Sequence, residues 1–316
     1  MNEIHKALEN FATGIESRVE VDCPFCQSSE KIFFDMVGGC KYVSCRTCCS
    51  IYASPRINQE DLTRLYALDF TGDFSKMLDE EYREVRKELM FRPRWELLKS
   101  ALLSLGYRGP YQNVMEVGAG IGYFLEVLNE DKTARQYFAV EPSLACVKSL
   151  EKLPDTRVIN TLLEDVDASL YGQMDLVFIN SVIEHPFSLE KFFKVISKLI
   201  APNGFLVMVD MNAIGFDMQL LRGQSQNFLP YLVNQIGSPS GILSIAEHNS
   251  LFMANQISIG QLDTDIVYQY AKNLNDDHPM SGFSNIFTDE VLRQRMQSLL
   301  AKHFKSGYIA YIFGKR

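Results

Sequence analysis

The chain has 316 residues, enough to bury a sizeable core and to form more than one structural unit. Its hydrophobic fraction of 47% is ordinary for a globular protein, and no apolar run is long enough to predict a membrane-spanning helix. The formal net charge of −8 argues against a polyanionic partner, because affinity for nucleic acid depends largely on neutralising phosphates. Composition therefore excludes a membrane-embedded chain and disfavours a nucleic-acid binder.

Two C-x2-C pairs lie in the N-terminal region, Cys23-Pro-Phe-Cys26 and Cys45-Arg-Thr-Cys48, with eighteen residues between them. This spacing is typical of a zinc ribbon, because each pair can present two thiolates from one tight turn. Disulfides or a redox pair are the alternatives. However, the cysteine total of seven is odd and no apolar secretory run follows Met1, so we expect a reducing, cytoplasmic setting. The pattern predicts a closed, structural Zn²⁺ site.

Two positions of the predicted ribbon depart from the usual pattern. Gln27 and Cys49 each follow a cysteine pair where ribbons usually have glycine. Cys49 also competes with Cys48 for the role of fourth ligand, and the spacing favours Cys48. The ribbon segment has no basic stripe, since its first sixty residues contain six Lys or Arg against eight Asp or Glu.

The segment from 58 to 105 has the composition of helices, punctuated by Pro93. Four apolar residues recur at helical spacing and are predicted to pack against a sheet: Trp95, Leu98, Leu102 and Leu105. Arg92 and Arg94 are predicted to lie on a solvated helix face, with contact to an anionic substrate as the alternative.

The stretch from 114 to 122 is predicted to be a buried strand that runs into a glycine-rich turn before an amphipathic helix. Gly118, Gly120 and Gly122 follow a G-x-G-x-G pattern, whereas dinucleotide-binding turns have G-x-G-x-x-G. Glu116, at the strand end, suits an ammonium group better than a phosphate. These residues favour S-adenosylmethionine over a dinucleotide as the cofactor.

A second predicted strand ends in Glu141, which is placed to accept hydrogen bonds from both ribose hydroxyls. From 112 to 210 the chain resembles the class I S-adenosylmethionine-dependent methyltransferases: the glycine turn matches their motif I, and residues 174–185 are similar to motif IV. The resemblance implies cofactor contacts from the turn and from the ends of the following strands, at Glu116, Gly118, Ala119, Gly120, Gly122, Tyr123, Glu141, Pro142, Leu163, Glu164, Asn180 and Ser181.

The residues after the ribbon, 51–60, resemble a group of bacterial methyltransferases in which a four-cysteine ribbon precedes the catalytic domain. Ser54 and Ile57 replace the Asn and the second Pro that are usual there. Some members of this group methylate nucleotide-linked sugars at carbon, and others methylate sugar or natural-product oxygens. The resemblance therefore implies a reaction type and leaves the acceptor open.

The expected fold is α/β, a Rossmann-like seven-stranded class I methyltransferase sheet with a small N-terminal zinc ribbon and a mostly helical cap insertion. A β-prone run at 308–315 fits the closing antiparallel strand, and the long segment before it is too long for a bare loop. The expected division is a ribbon domain (1–57), a helical linker (58–105), a cofactor-binding core (106–210), a cap and substrate region (211–300) and a closing strand (301–316).

Glu184 and His185 follow the fourth predicted strand of the core and are the candidate catalytic residues. A histidine titrates near neutrality and can take a proton from a hydroxyl or an activated carbon. The alternative is that the pair only orders the loop. His248 and His278, in the predicted cap, are the other candidates for a base.

The sequence predicts methyl transfer from S-adenosylmethionine to an oxygen or carbon of a small molecule, such as a nucleotide-linked sugar or glycan-like metabolite. Two other functions stay open. One is an RNA methyltransferase, which the charge and the Asn180-Ser-Val-Ile sequence disfavour. The other is a non-catalytic cofactor-binding scaffold whose zinc ribbon docks a protein. Neither the acceptor nor the oligomeric state follows from the sequence.

Overall fold

A computed structural model describes residues 8, 11, 14, 15, 17–66, 80–170 and 173–315. Part of the predicted linker, 67–79, lies outside the described residues. Within the described ranges, no helix has the length and apolarity needed to cross a membrane.

The described chain alternates strands and helices. The strands are β1 (Arg18–Val19), β2 (Lys31–Val37), β3 (Cys40–Cys45), β4 (Ile51–Ala53), β5 (Arg56–Ile57), β6 (Tyr111–Val117), β7 (Ala134–Val140), β8 (Thr156–Ile159), β9 (Met174–Asn180), β10 (Ile200–Met211), β11 (Gln235–Ile236), β12 (Leu251–Ser258) and β13 (Tyr308–Lys315). The α-helices are α1 (Gln59–Tyr66), α2 (Glu80–Arg86), α3 (Arg92–Ser104), α4 (Tyr123–Glu130), α5 (Leu144–Leu150), α6 (Leu189–Leu199), α7 (Phe216–Leu221), α8 (Pro239–His248), α9 (Asp263–Lys272), α10 (Gly282–Ile286) and α11 (Glu290–Lys302). A π-helical turn (Lys87–Phe91) joins α2 to α3, and 3₁₀ turns lie at Leu163–Asp165, Ala168–Leu170 and Arg222–Gln224.

The core sheet has seven strands in the order β12-β13-β10-β9-β6-β7-β8. Strands β8, β7, β6, β9 and β10 run parallel, and β13 is antiparallel to both of its neighbours. This confirms the predicted seven-stranded class I methyltransferase sheet. The chain leaves β6 toward one edge and returns to pair β9 on its other side. The carboxyl ends of β6 and β9 therefore flank a switch point, the usual ligand crevice of such sheets.

Alternate residues of the core strands face two hydrophobic layers, because successive side chains of a strand point to opposite faces. On one face, Met115 and Ile179 pack in a cluster with Phe193 of α6 and Ile245 of α8. On the other, Val114 and Leu176 join Trp95, Leu98, Leu102, Phe124 and Leu125 from α3 and α4. The predicted packing of Trp95, Leu98 and Leu102 against a sheet is confirmed, since all three are buried. Leu105 packs against the same cluster and is partly buried.

The region from 211 to 300 differs from a helical cap in two places. Strand β12 pairs with β13 and forms one edge of the core sheet, and β11 pairs with β4 of the N-terminal sheet. Leu251–Ser258 gave little strand signal because Asn255 and Gln256 interrupt it, at a register shift between Met253 and Asn255. Much of 235–258 is thus part of the framework, and the boundaries of the five predicted regions stay a prediction.

Strands β11, β4, β3 and β2 form a four-stranded sheet, called here the ribbon sheet. It packs directly on the core, since Phe25, Cys48 and Tyr52 lie in the same buried cluster as Ile242 and Ile245 of α8. Ser238, the N-cap of α8, has its backbone N–H 3.0 Å from Ser50 Oγ. The ribbon sheet is therefore joined to the core by buried apolar and polar contacts.

Candidate active site and metal centre

Glu116 lies on β6 at the carboxyl edge of the sheet, with only 2% of its surface exposed. Asn180, at the end of β9, donates a hydrogen bond from Nδ2 to Glu116 Oε1 at 3.3 Å. Glu116 Oε2 is buried and has no hydrogen-bond partner in the structure. Burial raises the pKa of Glu116 to about 8, against the smaller lowering effect of the Asn180 bond. The orphaned oxygen marks a place for a cationic or hydrogen-bond-donating group.

The glycine turn adopts the left-handed backbone conformation at all three predicted glycines, with φ of +66° at Gly118, +55° at Gly120 and +89° at Gly122. A Cβ on Gly118 would lie 2.5 Å from Cγ2 of Val182, whereas a Cβ on Gly120 would meet no atom within 4 Å. Gly118 is therefore needed for packing. The space beside Gly120 is open, so a ligand can approach the backbone closely there.

Glu141 follows β7 directly, and both of its carboxylate oxygens are held by backbone N–H groups. Gly120 donates to Oε2 and Ser143 donates to Oε1, each at 2.8 Å. Asn160 fixes the same turn by donating to the Glu141 carbonyl at 2.8 Å. Burial raises the pKa of Glu141, and these backbone bonds act in the opposite direction. The carboxylate is thus oriented at the glycine turn with lone pairs left to accept further hydrogen bonds.

The remaining predicted cofactor residues fall into two groups. The first group lies at the ends of the core strands. Ser181, with φ of +52°, follows Asn180, and Pro142 follows Glu141 on the surface. Leu163, which is buried, and Glu164, which is half-buried, belong to the 3₁₀ turn after β8. Ala119 and Tyr123 instead point into the packed interior.

Ala119 belongs to the buried cluster of α3 and α4. The Tyr123 ring stacks on Phe91 at 5.5 Å and lies within 5.3 Å of the Arg83 guanidinium. The structure therefore does not bring the Tyr123 ring to the carboxylates.

A second pair of acids lies beside Glu116 along the carboxyl edge of the sheet. Glu184 is in the loop after β9, and Asp210 is near the end of β10. Glu184 is 4% exposed and Asp210 is 1% exposed, and each carboxyl group affects the ionisation of the other. Burial raises the pKa of Glu184 to about 7, and burial together with the charge of Glu184 raises that of Asp210 well above its usual range. Two buried carboxyl groups in contact cannot both ionise without large repulsion, so the pair holds a proton near neutrality.

His185 lies beside this pair, with Nε2 3.8 Å from Glu184 Oε1. Its Nδ1 lies 3.0 Å from the carbonyl oxygen of Leu232. Because a carbonyl can only accept, Nδ1 carries the hydrogen and Nε2 is the basic nitrogen of the neutral ring. Desolvation lowers the pKa of His185, and the Leu232 carbonyl and the charge of Asp210 partly oppose this. The ring is therefore neutral at pH 7 and able to take a proton.

Asp210 and Tyr308 were not predicted as functional, and for Arg94 substrate contact was only the alternative to a solvated helix face. Arg94 Nη1 lies 3.4 Å from Asn180 Oδ1, so Arg94 faces the site rather than a solvated helix surface. Burial raises the pKa of Tyr308, and the charges of Glu184 and Asp210 add to this effect. Asp210 had one sequence signal, an acid at a strand end. Tyr308 had none, because only strand pairing brings β13 here.

The other candidate bases lie outside the cluster. His248 ends α8 and is exposed. His278 is also exposed, and its Nδ1 accepts the backbone N–H of Met280 at 3.1 Å. Among the histidines that the structure describes, His185 alone contacts the buried acids.

The four predicted metal ligands come together in the ribbon. The sulfur atoms of Cys23, Cys26, Cys45 and Cys48 all lie within 4.8 Å of one another, with the closest pairs 3.5 and 3.6 Å apart. Tetrahedral zinc with Zn–S bonds of about 2.3 Å has sulfurs about 3.8 Å apart, so the cluster fits a four-thiolate metal site. Cys49 is exposed and outside the cluster.

The turns after the two cysteine pairs have matching geometry. Gln27 N donates to the Cys23 carbonyl at 2.8 Å, and Cys49 N donates to the Cys45 carbonyl at 3.0 Å. Both residues have positive φ, +60° at Gln27 and +63° at Cys49. These are the two positions where ribbons usually have glycine, and the left-handed backbone is the reason for that preference.

The ribbon sheet holds the loop that carries Glu184 and His185. Beside β11, Asn234 donates to the carbonyls of Glu184 and His185 through its backbone N–H and its side chain. Gln235 Nε2 donates to the carbonyls of Ile183 and Pro186 at 2.8 Å each. Arg56 of β5 donates to Gln235 Oε1 and to the Phe187 carbonyl. Five successive carbonyls of the loop are therefore fixed from outside the cofactor core.

Comparison with known proteins agrees with this geometry. A methyltransferase domain family matches residues 80–299, more than half of the chain. No curated protein matches the sequence.

Solved structures share the fold at low identity. One is the Haloferax volcanii methyltransferase determined in complex with a methyltransferase activator, at 14% identity and a TM-score of 0.50, covering 77% of this chain and 97% of that one. Another is an S-adenosylmethionine-dependent methyltransferase from Clostridium acetobutylicum, at 9% identity and 0.49, covering 78% and 97%. Because the family match spans more than half of the chain, the chain belongs to the methyltransferase domain family and is an enzyme.

Proposed function

We propose that this enzyme transfers a methyl group to an oxygen or carbon of a small molecule, a nucleotide-linked sugar or glycan-like metabolite. One observation carries the proposal: a neutral histidine, His185, is fixed by a backbone carbonyl next to a proton-sharing acid pair at the carboxyl edge of the sheet. A hydroxyl or activated-carbon acceptor must lose a proton on methylation, and such a cluster can receive it.

S-adenosylmethionine supplies a methyl group on a sulfonium when it is bound. In this proposal Glu116 holds its ammonium group, which fits the buried, unpartnered Oε2. The turn from Gly118 to Gly122 approaches it closely, since the space beside Gly120 is open. Glu141 accepts the ribose hydroxyls, with Pro142 alongside. Leu163 and Glu164 contact the adenine, and Asn180 and Ser181 line the crevice beyond Glu116.

His185 is the proposed general base. Glu184 and Asp210, the buried acids beside it, hold one proton between them near neutral pH. The lowered pKa keeps the imidazole unprotonated, and the neighbouring carboxylate stabilises the imidazolium once a proton arrives. Arg94 and Tyr308 lie on the same side and are placed to orient the acceptor.

The cysteine cluster is proposed to hold a structural Zn²⁺ ion. Four thiolates close the coordination sphere and leave no position for water, so the metal would stabilise the ribbon rather than take part in methyl transfer. Because the ribbon sheet fixes the loop of His185, the metal would support catalysis indirectly.

The base is tested with His185→Ala and His185→Asn. Asparagine can still donate to the Leu232 carbonyl and keep the loop in place, but it cannot accept a proton. We expect both variants to lower kcat by about 10²- to 10⁴-fold, the usual contribution of a general base. Release of S-adenosylhomocysteine with a panel of nucleotide-linked sugars measures turnover, and calorimetry measures cofactor affinity, which should stay unchanged.

Two outcomes would count against the proposal. Absence of cofactor binding to the wild-type protein would remove its first half. If His185→Asn kept full turnover while His185→Ala lost it together with cofactor affinity, the histidine would be an anchor of the loop and not a base.

A further inference from the structure

Gln235, on β11, is fully buried and uses the donors of its side-chain amide on the loop of His185. Its Nε2 donates to the carbonyls of Ile183 and Pro186 at 2.8 Å each, and these two residues lie on either side of Glu184 and His185. An amide NH₂ group has two hydrogens, so both are engaged by the loop. The Gln235 amide therefore bridges the loop across the proposed base.

Arg56 orients this amide. Its Nη1 donates to Gln235 Oε1 at 3.1 Å, and its Nη2 donates to the Phe187 carbonyl at 2.6 Å. Arg56 is 8% exposed, and no acid pairs with it among the residues that the structure describes. A buried cation without an acid lowers stability, and departures of this kind are expected at functional sites.

The imidazole and the backbone of His185 are held from the same short segment, 232–235. The Leu232 carbonyl accepts the ring Nδ1–H at 3.0 Å. Asn234 donates from its backbone N–H to the Glu184 carbonyl at 2.8 Å and from Nδ2 to the His185 carbonyl at 3.1 Å. The position of the proposed base is therefore set by residues of β11 and the turn before it.

The ribbon sheet holds segment 232–235 from its other side. The Tyr42 hydroxyl donates to the Val233 carbonyl at 2.7 Å, and Ala53 N donates to the Asn234 carbonyl at 2.8 Å. Strand β11 also pairs with β4 of this sheet. The segment lies between the ribbon sheet and the loop, so a shift of the ribbon sheet would move the contacts of the base.

The chain then continues from β11 to the cysteine cluster. Ser238, three residues after Gln235, is fully buried and donates from Oγ to the Cys48 carbonyl. Its backbone N–H donates to Ser50 Oγ at 3.0 Å, and Ser50 Oγ lies 3.3 Å from Cys48 Sγ. A metal-bound thiolate can only accept, so the Ser50 hydroxyl then donates to Cys48 and its oxygen stays available to the Ser238 N–H. Ser238 is thus bonded, directly and through Ser50, to a predicted metal ligand.

Helix α8 begins tightly against this contact. A Cβ on Gly241 would lie 2.2 Å from Ser50 Oγ and 3.3 Å from Cys48 Sγ, so no larger residue fits there. Closely packed interiors are hardly compressible and transmit displacements. A change in the geometry of the cluster therefore reaches the start of α8 and the strand before it.

We propose that Gln235 is a positioning residue for His185, and that it holds the loop in place only when the cysteine cluster binds its metal. The inference rests on the proposed function, because it takes His185 as the base and Zn²⁺ as the metal. Without a shared metal the four cysteines separate, the ribbon sheet shifts at Cys48, and Ser238 and Gln235 move with it. The imidazole then loses its fixed bond to the Leu232 carbonyl. Orientation of the base thus depends on a metal that lies outside the acceptor site.

The ring of His185 reports this coupling directly. The two nitrogens of a neutral imidazole give different nitrogen-15 NMR shifts in its two tautomers, and the partner of Nδ1 selects the tautomer. The signal of His185 is assigned by its loss in His185→Asn. The zinc-loaded full chain should show a single Nδ1–H tautomer. Removal of zinc by a chelator, checked by mass spectrometry, should give a mixture of tautomers, with the affinity for S-adenosylmethionine unchanged by calorimetry.

Gln235→Glu, in the zinc-loaded chain, keeps an acceptor for Arg56 but removes both donors to the loop. It should give the same mixture of tautomers. It should also lower kcat by about 10- to 100-fold, with KM unchanged, on the nucleotide-linked sugars that the wild type methylates, because misplacing a catalytic group costs about that much.

Gln297→Glu is the matched control for this variant. Gln297 Nε2 also donates to two acceptors, the Gly260 carbonyl at 3.0 Å and Asp263 Oδ2, but neither belongs to the loop of His185. The control should keep the single tautomer and the kcat of the wild type, even where its Tm falls.

The double variant Ser50→Ala with Ser238→Ala separates the link from the metal itself. It leaves the four cysteines in place and should retain zinc, yet it should show the mixture of tautomers. It keeps the test decisive if the zinc-free chain unfolds, which circular dichroism would reveal. Because Ser238 is also the N-cap of α8, Asp289→Ala, which removes the N-cap of α11, controls for the loss of a helix cap.

A single Nδ1–H tautomer in Gln235→Glu, in the double variant or in a folded zinc-free chain would overturn the inference. The ring signal requires neither acceptor nor methyl transfer, so the two proposals fail separately. If the tautomer follows the metal while His185→Asn keeps full turnover, the coupling stands and the proposed base fails. If His185→Asn loses turnover and the tautomer is independent of the metal, the proposed function stands without the coupling.

Discussion

At the scale of single residues, the candidate site contains carboxyl groups that are buried more deeply than is usual for charged side chains. Glu116, Glu184 and Asp210 are each at most 4% exposed, and all have raised pKa values because burial disfavours the ionised form. Such shifts cluster at functional sites, because a group poised near neutrality can exchange a proton or accept a cation.

We expect Glu116, the proposed partner of the cofactor's ammonium group, to make cofactor binding dependent on pH. Its pKa is about 8 in the ligand-free structure, and a bound ammonium group would favour the ionised form. Binding should therefore release a proton, and affinity should weaken by up to about tenfold for each pH unit below 8. Glu116→Gln should bind more weakly at pH 8 and lose this dependence, while its amide oxygen can still accept the Asn180 bond.

Calorimetry between pH 6.5 and 8.5, in buffers of different ionisation enthalpy, measures both the affinity and the proton release. Glu247→Gln, on the exposed surface of α8, is the control and should behave as the wild type. A pH slope that persists in Glu116→Gln would assign the titration to another group.

The spacing of residues in the sequence predicted the local part of the candidate site and missed contacts between distant residues. The turn was predicted because it is local: its acid and its three glycines lie within seven consecutive residues, 116–122. Asp210 was seen as the end of a strand but was given no role. Its partner Glu184 is on a different loop, and only the parallel pairing of β9 with β10 brings the two together.

At the scale of elements, the glycines of the turn have different roles: Gly118 is needed for packing, and Gly120 leaves open space that a ligand can enter. We expect Gly118→Ala to destabilise the fold by several kcal/mol, because its Cβ would lie 2.5 Å from Val182 on a left-handed backbone. Gly120→Ala should cost only about 1–2 kcal/mol, the strain of a left-handed non-glycine residue. It should nevertheless lose cofactor affinity, since its methyl group enters open space that the ligand needs.

Denaturant unfolding and calorimetry on the two variants check this contrast. Val182→Ala should partly restore the stability of Gly118→Ala, because it removes the methyl group that clashes. If Gly120→Ala bound the cofactor as tightly as the wild type, the open space beside Gly120 would not be part of the cofactor site.

The ribbon turns give a second prediction at this scale. Cys48→Ser should lose the metal and much of the stability of the ribbon, whereas Cys49→Ser should retain it, because the Cys49 side chain lies outside the cluster. Cys49→Gly should be more stable than Cys49→Ser by about 1 kcal/mol, since φ at this position is positive. Metal analysis by mass spectrometry and thermal unfolding distinguish the ligands, and metal retention by Cys48→Ser would contradict the assignment.

At the scale of the whole molecule, the ribbon sheet and the core sheet meet at the loop that carries Glu184 and His185. Strand β11 pairs with β4, and its residue Gln235 holds two carbonyls of that loop. Arg56 is buried there without an acidic partner among the described residues, and burial lowers its pKa to about 10. Its charge is instead met by carbonyl and amide oxygens and by the Phe187 ring at 4.5 Å.

The buried acids predict how the stability of the ligand-free enzyme varies with pH. Glu116, Glu184 and Asp217 have pKa values of about 8, 7 and 6 in the folded state, against about 4 when unfolded. The folded state thus binds more protons than the unfolded state from about pH 4 up to each folded pKa. These groups should therefore lower the free energy of unfolding as pH rises from about 4 to 8, by up to about 1.4 kcal/mol per pH unit for each group. The lowered pKa of His185 has the opposite sign and destabilises the fold as pH falls below the usual histidine range.

Thermal unfolding with zinc present throughout should therefore give a Tm that declines from pH 6 to pH 8. Saturating S-adenosylmethionine should reduce the decline, because an ammonium group beside Glu116 removes the penalty for its ionisation. A Tm that rises steadily from pH 6 to 8 without cofactor would show that these carboxyl groups are hydrated in solution.

The sequence by itself determined the features that depend on near neighbours in the chain. These are the cysteine pairs, the glycine turn with its strand and helix, and the succession of strands that produces the seven-stranded sheet. Three features follow only from the tertiary structure: β12 joins this sheet, β11 ties the ribbon to the loop of His185, and Asp217 and Asp263 come together beside Gly307. Each of these joins residues far apart in the chain, and a pairing of that kind is selected by packing and burial across the whole fold, which leaves no fixed spacing in the sequence.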